Sequence, residues 1–374
     1  MSTLISSTQR KVVVGLGVTG LSVARYLHRC GQEFSVVDTR EQPPELAQLQ
    51  AEMPHVPVLL GANAQGVLDT AGELIVSPGI SLEEPWLQQA VAAGATVRGD
   101  IDLFVAAANA PVIGITGSNA KSTVTAMLGA MLQAAGHRAG VGGNLGVAAL
   151  DLLDPTTEYY VLELSSFQLE RAGKLDLAVA TVLNLTPDHL DRHGSMQRYH
   201  QAKHRIFNGC AAVVFNADDP LTIPPVAGDR RQISWRLGEP GLQGFGLRRE
   251  GDAWMIAQGF ELLMPVAELS LPGRHNLANA LATLALGAAI DLPRAAMLET
   301  LRTFPGLPHR CELVLERDGV RWINDSKATN VGAALAAING LGEAGGDHSV
   351  ILIAGGRDKN SDFTCLRPAL KAYC

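Results

Sequence analysis

Several stretches of this chain carry side chains whose types and spacing suit phosphate chemistry. Thr116-Gly117-Ser118-Asn119-Ala120-Lys121-Ser122-Thr123 lies between a β-branched run and a helical pattern. In a loop of this plan, backbone N–H groups cradle phosphate oxygens, Lys121 reaches the β- and γ-phosphates of a nucleotide, and Ser122 or Thr123 holds Mg2+. The strict pattern G-x-x-x-x-G-K-S/T has glycine where Ile115 and Ala120 stand, so an ordinary capped helix remains the alternative. Gly15-Leu16-Gly17-Val18-Thr19-Gly20 also follows an apolar run and opens a helix, with Asp38 eighteen residues after Gly20. Its glycines let the backbone approach a diphosphate, the helix start supplies N–H donors, and the acid meets a ribose or base edge; a tight structural turn is the other reading.

Glu163 closes the run Tyr160-Val161-Leu162, one βα unit after Lys121, where an acid can hold Mg2+. The polar stretch Asn184-Leu185-Thr186-Pro187-Asp188-His189-Leu190-Asp191-Arg192-His193 ends another strand pattern. Its His189 is a candidate orienter or metal ligand, whereas His193 reads as a loop residue. Lys203, on spacing alone, reads as a surface lysine. Asn276 and Asn279 sit three apart, on one helical face. Farther on, His309-Arg310 follows a turn, and Asn324-Asp325-Ser326-Lys327-Ala328-Thr329-Asn330 packs an acid, a base, hydroxyls and amides between a strand and a helix.

Positioning these groups requires parallel strands, because the polar loops fall repeatedly at the ends of short β-branched runs that alternate with helical patterns. The fold class is α/β. Strands are expected at 12–14, 34–37, 74–76 and 96–97, completing a Rossmann-like unit over residues 1–100. A second unit, 101–306, has strands at 112–115, 159–164, 179–185 and 211–216, a helix over 122–135, a small antiparallel excursion within 235–272 and helices at 276–290 and 295–303. The turn Phe304-Pro305-Gly306-Leu307-Pro308 marks a boundary. A third α/β unit, 307–374, has strands near 313–315, 320–323 and 350–354 and a helix at 331–338, and it looks incomplete.

Composition narrows the function classes. The 374 residues carry 37 acidic against 30 basic side chains, a formal net charge of −7, without a basic block, which argues against nucleic acid as a partner. Five scattered cysteines lack metal-ligand spacing and fit a reducing compartment. No run approaches the roughly 20 apolar residues of a membrane span; the best, 277–290, is broken by Asn279 and Thr283. A cytoplasmic protein without membrane insertion is expected.

Taken together, Gly114-Ile115-Thr116-Gly117-Ser118-Asn119-Ala120-Lys121-Ser122-Thr123, Gly142-Gly143-Asn144, Leu162-Glu163-Leu164-Ser165-Ser166-Phe167-Gln168-Leu169 and Trp322-Ile323-Asn324-Asp325-Ser326-Lys327-Ala328-Thr329-Asn330 closely resemble the Mur ligases of bacterial peptidoglycan synthesis. The resemblance runs from the first loop to the last residue. It implies a three-domain architecture: a Rossmann-like domain for the UDP end of a sugar precursor, a central ATPase, and a C-terminal domain that helps bind the incoming amino acid. It implies a monomer that consumes ATP with Mg2+, two ions in all, and joins D-glutamate to UDP-N-acetylmuramoyl-L-alanine.

By the same resemblance, Val18, Thr19 and Gly20 line the diphosphate, Asp38, Thr39 and Arg40 face uracil with Ser77 and Gly79 nearby, and Asn144 and Ser165 meet the sugar substrate. Gly117, Ser118, Asn119, Ala120, Lys121, Ser122 and Thr123 grip ATP, with Asn276 and Asn279 near adenine, Arg310 near the phosphates and Asp325 on the ribose. Ser122, Thr123, Glu163, His189 and a carbamylated Lys203 hold metal, while Lys327, Thr329 and Lys359 serve the amino acid or the reacting phosphate. Family members usually carry glycine where Ala120 stands, and Ala120 is expected to be tolerated with φ below zero. A folylpolyglutamate-synthase-like ligase would lack the first unit. An NAD-dependent oxidoreductase would use the 15–20 loop and leave the Lys121 loop idle, and a non-catalytic nucleotide-binding regulator is the third alternative.

Overall fold

In the computed structural model, which describes residues 10–61, 68, 71–225, 230–346, 348–356 and 362–374, the strands form three separate sheets. The first holds β1 (Lys11–Val14), β2 (Phe34–Asp38), β3 (Val58–Leu60), β4 (Glu73–Val76) and β5 (Thr96–Arg98), all parallel, in the order β3-β2-β1-β4-β5. Parallel neighbours need crossovers, and the helix Val18–Arg29 supplies the one from β1 to β2. The strand order reverses beside β1. The crevice between the ends of β1 and β4 is therefore a topological switch point, where open α/β sheets bind ligands.

The second sheet has nine strands: β6 (Val112–Thr116), β7 (Ala139–Gly143), β8 (Tyr159–Glu163), β9 (Val179–Val182), β10 (Ala212–Asn216), β11 (Arg231–Trp235), β12 (Phe245–Glu250), β13 (Ala253–Gln258) and β14 (Glu261–Pro265). Their order is β14-β13-β12-β11-β10-β9-β6-β8-β7, with only the β12-β13-β14 meander antiparallel. Here the switch point surrounds β6, which lies between β8 and β9. The loops carrying Lys121, Glu163 and Asn184 consequently converge.

Over one face of this sheet lies the helix Arg274–Ala289, whose Leu281, Leu284, Ala285 and Leu286 are fully buried. It is apolar nearly all round, as a helix covered on every side must be. Each buried leucine is worth about 1.5–3 kcal/mol relative to exposure. The helices Lys121–Ala134 and Arg294–Thr303 share this core through Leu128, Met131, Met297 and Leu301. A second core is continuous from the first sheet to the second, joining Val13 and Ile75 to Phe104, Leu150 and Tyr160, with the Phe104 and Tyr160 rings edge to face at 5.0 Å.

The third sheet is a hairpin of β15 (Glu312–Arg317) and β16 (Val320–Asn324), followed by the helix Val331–Gly345. The strand expected at 350–354 does not form. No other strand among the described residues offers it a partner, the Val350 N–H turns instead to the Tyr373 carbonyl, and Ile351 and Ile353 stay 91% and 85% exposed. Among the described residues no helix is long and apolar enough to cross a membrane.

Candidate active site

The phosphate-type loop leaves β6 at Thr116 and enters the helix at Lys121. Gly117 takes φ +155°. Ala120, at the start of the helix, takes φ +68° and ψ −8°, which corrects the expectation of a negative φ. Neighbouring bonds impose this conformation: the Asn119 N–H donates to Asn184 Oδ1 at 2.8 Å, Asn184 Nδ2 returns to the Asn119 carbonyl at 3.2 Å, and the Ser118 N–H meets the Asn184 carbonyl at 3.0 Å. With both flanking peptides held, the turn into the helix falls on residue 120, where a Cβ must occupy the left-handed region. Lys121 Nζ folds back onto the carbonyls of Gly117 and Ser118 at 3.0 and 3.1 Å.

Glu163, buried at the end of β8, is the hub. Ser122 Oγ donates to its Oε2 at 2.7 Å, and Asn144 Nδ2 donates to its Oε1 at 2.7 Å. One carboxylate thus joins the helix start of the phosphate loop to the Gly142-Gly143-Asn144 turn. Arg310 joins through Ser122 rather than through the carboxylate, its Nη2 donating to Ser122 Oγ at 2.7 Å.

Beside this hub lies Lys203, which is buried, contrary to its reading from spacing alone. Nζ donates to the Gly117 carbonyl at 2.8 Å and lies 3.3 Å from Thr116 Oγ1, with the Tyr199 ring 4.8 Å away. Burial, and then the charge of Lys121, drive its pKa well below the ordinary lysine value, against the opposing pull of Asp188 and Glu163. His189 sits at φ +53°, its ring edge-on to Phe167 at 4.9 Å and its Nε2 3.6 Å from Asp188 Oδ2. Thr123 is buried in the first turn of the helix.

The first sheet contributes its own loop. Gly15, at φ +93°, donates its N–H to the Val37 carbonyl and accepts from Ser77 Oγ at 2.9 Å. A side chain on Gly20 would run into the Gly15 carbonyl, so the helix can start this close to the turn only with glycine there. Both Asp38 oxygens are taken up within the fold, by the Leu16 N–H at 2.7 Å and by the Arg40 N–H and guanidinium at 2.7–2.9 Å. Burial pushes this carboxyl up, but those bonds offset it and hold the pKa below the ordinary value. Asp38 therefore shapes the loop, while Thr39 and Arg40 are the exposed neighbours. A cleft of about 260 Å³ lies between the two sheets' loops, lined by Val18, Thr19, Pro78, Asn144 and Gln168 among others. Ser77 and Gly79 flank Pro78. Ser165 caps the helix that carries Gln168, its Oγ accepting from the Gln168 N–H.

The third unit reaches the same place. Asn330 Nδ2 donates to Asn119 Oδ1 at 2.9 Å and to Asp188 Oδ2 at 3.2 Å. Asp325 accepts the Cys311 N–H, and burial raises its pKa. Asn276 and Asn279 are hydrogen-bonded to each other at 3.3 Å, on one helical face as their spacing requires. Lys327 and Thr329 are exposed on the loop between Asp325 and Asn330. Lys359 lies outside the described residues.

Residues 9–99 match the Mur ligase MurD-like N-terminal domain model, and residues 115–287 match the Mur ligase middle domain model. A UDP-N-acetylmuramoylalanine–D-glutamate ligase of Pseudomonas syringae pv. tomato is 54% identical over 99% of this chain and 83% of its own length. Its namesake in Marinobacter nauticus is 49% identical over the same shares. The chain belongs to the Mur ligase family. Among solved structures, the UDP-N-acetylmuramate–alanine ligase of Thermotoga maritima superposes with a TM-score of 0.57 at 21% identity, over 91% of this chain and 79% of that one. A pseudomurein peptide ligase type C of Methanothermus fervidus gives 0.53 at 20% identity, over 89% and 76%. Both share the Mur ligase fold.

Within this Mur ligase, several residues to which sequence reading gave no individual role surround these groups. Asn184 fixes the phosphate loop. Tyr199 lies 3.1 Å from Ser118 Oγ, and burial raises its phenol pKa. Arg171, wholly buried, reaches across to the loop after β4. A lone aromatic in the largely polar helix 196–204 was the one available signal for Tyr199; Arg171 gave none, since the carbonyls it reaches after β4 are more than 90 residues away in sequence.

Proposed function

We propose that this Mur ligase couples ATP consumption to the joining of D-glutamate to UDP-N-acetylmuramoyl-L-alanine, forming an amide through an acyl phosphate and a tetrahedral intermediate. One observation carries the reading beyond family membership: Glu163 bridges Ser122 of the phosphate loop and Asn144 of the cleft wall. The phosphate end of a nucleotide and the carboxylate end of a sugar precursor would meet at that carboxylate. Residues 1–100 would hold the UDP end, 101–306 ATP, and 307–374 the amino acid.

In the first step the substrate carboxylate oxygen forms a bond to the γ-phosphorus as the bond to the β–γ bridging oxygen breaks, releasing ADP. In the second the D-glutamate amine attacks the acyl carbon, losing a proton, and inorganic phosphate leaves. Lys121 and Arg310 balance phosphate charge, and alignment of the reactants can supply about 7–11 kcal/mol of the barrier. The N–H groups of residues 117–123 orient the β- and γ-phosphates. Asn276, Asn279 and Asp325 would bind the nucleoside, and Lys327, Thr329 and Lys359 the amino acid or the transferred phosphate.

The donor set fits Mg2+: one hydroxyl and one buried carboxylate already face each other at Ser122 and Glu163, and among the described residues no group of three His, Cys, Asp or Glu forms a protein cage. Mg2+ is held that way, by few side chains plus phosphate oxygens and water, and when bound it neutralises charge on the phosphates. Thr123 and His189 would complete the metal sites. Lys203, whose burial favours the neutral amine, suits carbamylation: Nζ bonds to the carbon of CO2, releases a proton and becomes an anionic oxygen donor. A monomeric cytoplasmic enzyme without nucleic-acid partners completes the proposal. Phosphate release from ATP and Mg2+ is measured with UDP-N-acetylmuramoyl-L-alanine, with and without D-glutamate. Release requiring both substrates supports the proposal, and release indifferent to either overturns it.

A further inference from the structure

We infer that Arg171 and Arg192 are positioning residues that clamp one wall of the cleft between the first and second sheets, and so set affinity for the UDP substrate without touching it. The inference rests on the reading of that cleft as the UDP site.

The wall is the 77–80 loop at the end of β4. Its Ser77 Oγ holds the Gly15 turn and its Pro78 lines the cleft beside Val18 and Thr19. Arg171 Nη1 donates to the carbonyls of Val76 and Ser77 at 3.1 and 2.7 Å, and Nη2 to those of Pro78 and Ile80 at 3.2 and 2.9 Å. Arg192 adds Gly79 at 3.4 Å and a second bond to Ile80 at 2.8 Å. Five consecutive carbonyls, 76–80, are thereby met by guanidinium donors from the other sheet's unit. Such a run of carbonyls beyond a strand end needs donors, and a planar five-donor fork supplies them in a geometry that an ammonium cannot match.

The clamp is also tied to the hub. Arg171 ends the helix Ser166–Arg171, whose Gln168 lines the same cleft and whose cap Ser165 lies two residues after Glu163. Arg192 stacks over the Phe167 ring at 5.1 Å, and that ring meets His189. Gly99 leaves room for the arrangement, because a Cβ there would lie 2.9 Å from Arg171 Cγ. Burying a guanidinium is costly unless every donor is matched, so a residue serving stability alone would be better replaced by an apolar one. Burial accordingly lowers the Arg171 pKa to about 10.

The test measures Kd for UDP-N-acetylmuramoyl-L-alanine and, separately, for ATP with Mg2+, in the full chain and in Arg171→Lys, Arg192→Ala and Arg192→Lys. The expected result is at least 10-fold weaker UDP-substrate binding for R171K, 3- to 10-fold weaker for R192A with partial rescue in R192K, and ATP affinity within 2-fold throughout. R192A keeps the test open if R171K fails to fold, since Arg192 lies at the rim and Arg171 still holds the loop. Unchanged UDP-substrate affinity in folded R192A overturns the inference, as does an equal loss of ATP affinity. A parent chain that binds no UDP substrate overturns the reading of the cleft and this inference with it; a parent that binds, with variants that bind equally, overturns this inference alone.

Discussion

Replacing Ala120 tests the left-handed turn that opens the phosphate loop's helix. At φ +68° a residue with a Cβ costs about 1–2 kcal/mol relative to glycine. Glycine in its place relieves that strain but loses about 0.4–1 kcal/mol through the greater freedom of the unfolded chain, and it also gives up a half-buried methyl. Ala120→Gly should therefore be neutral to stabilising, by about 0–1 kcal/mol. Ala120→Val adds a β-branch where such side chains are genuine outliers and should cost about 1–3 kcal/mol. For a unit of about 200 residues each kcal/mol moves Tm by about 2–4 °C. Calorimetry should thus rank the variants glycine, alanine, valine, with a clear gap before valine. The Asn184 bonds hold the loop independently of residue 120, so A120G should bind ATP within 2-fold of the parent. A glycine variant destabilised by more than about 1 kcal/mol, or a neutral valine variant, would refute the positive φ and the reasoning built on it.

Three further outcomes are expected. Burial holds His204 and His275 below the ordinary histidine pKa, so the unfolded chain binds more protons below about pH 6.5; stability should fall from pH 7 toward pH 5, by up to about 1.4 kcal/mol per pH unit for each, and His204→Gln should flatten that slope in denaturant titrations. Lys203→Arg, which cannot form a carbamate, should lower ligation more than 100-fold; carbon-13 NMR with labelled CO2 should give a carbamate signal in the parent only, and a parent without one would count against that role. Asn144→Ala removes a bond of about 1.5–3 kcal/mol to the Glu163 carboxylate and should weaken UDP-substrate binding about 10-fold, read by calorimetric titration.

What the sequence discloses is what is local. The 116–123 and 15–20 loops and Glu163 are each legible because strand, turn and helix signals lie within a dozen residues. β7 was not, since Ala139–Gly143 contains three glycines and becomes a strand only by pairing with β8, where Tyr160 covers Gly140. The 350–354 run shows the converse: β-branched residues fit for a strand stay unpaired when no neighbouring strand is at hand. Burial of Lys203 arises from the 196–204 helix folding under the phosphate loop, a contact across 86 residues that no pattern around Lys203 encodes. The Asp38 carboxylate was visible as a candidate, but its commitment to the Leu16 N–H depends on how closely β1 and β2 bring the two loops together.

On the proposed function, the contacts of Lys121 and Arg310 would make nucleotide entry an exchange reaction. The chain's own carbonyls and the Ser122 hydroxyl engage these cations, and Glu163 holds the hydroxyl in turn. Each of these four bonds involves a charged group and is worth about 1.5–3 kcal/mol, so together they form an internal competitor of several kcal/mol. A ligand at that site would have to displace it, and its apparent affinity would be lowered by the fraction of chains still self-occupied. A nucleoside or monophosphate would offer too few anionic oxygens to replace what it displaces. On the proposed function, a triphosphate arriving with a divalent cation would replace every contact at once, so the site would select by charge count before any base is read.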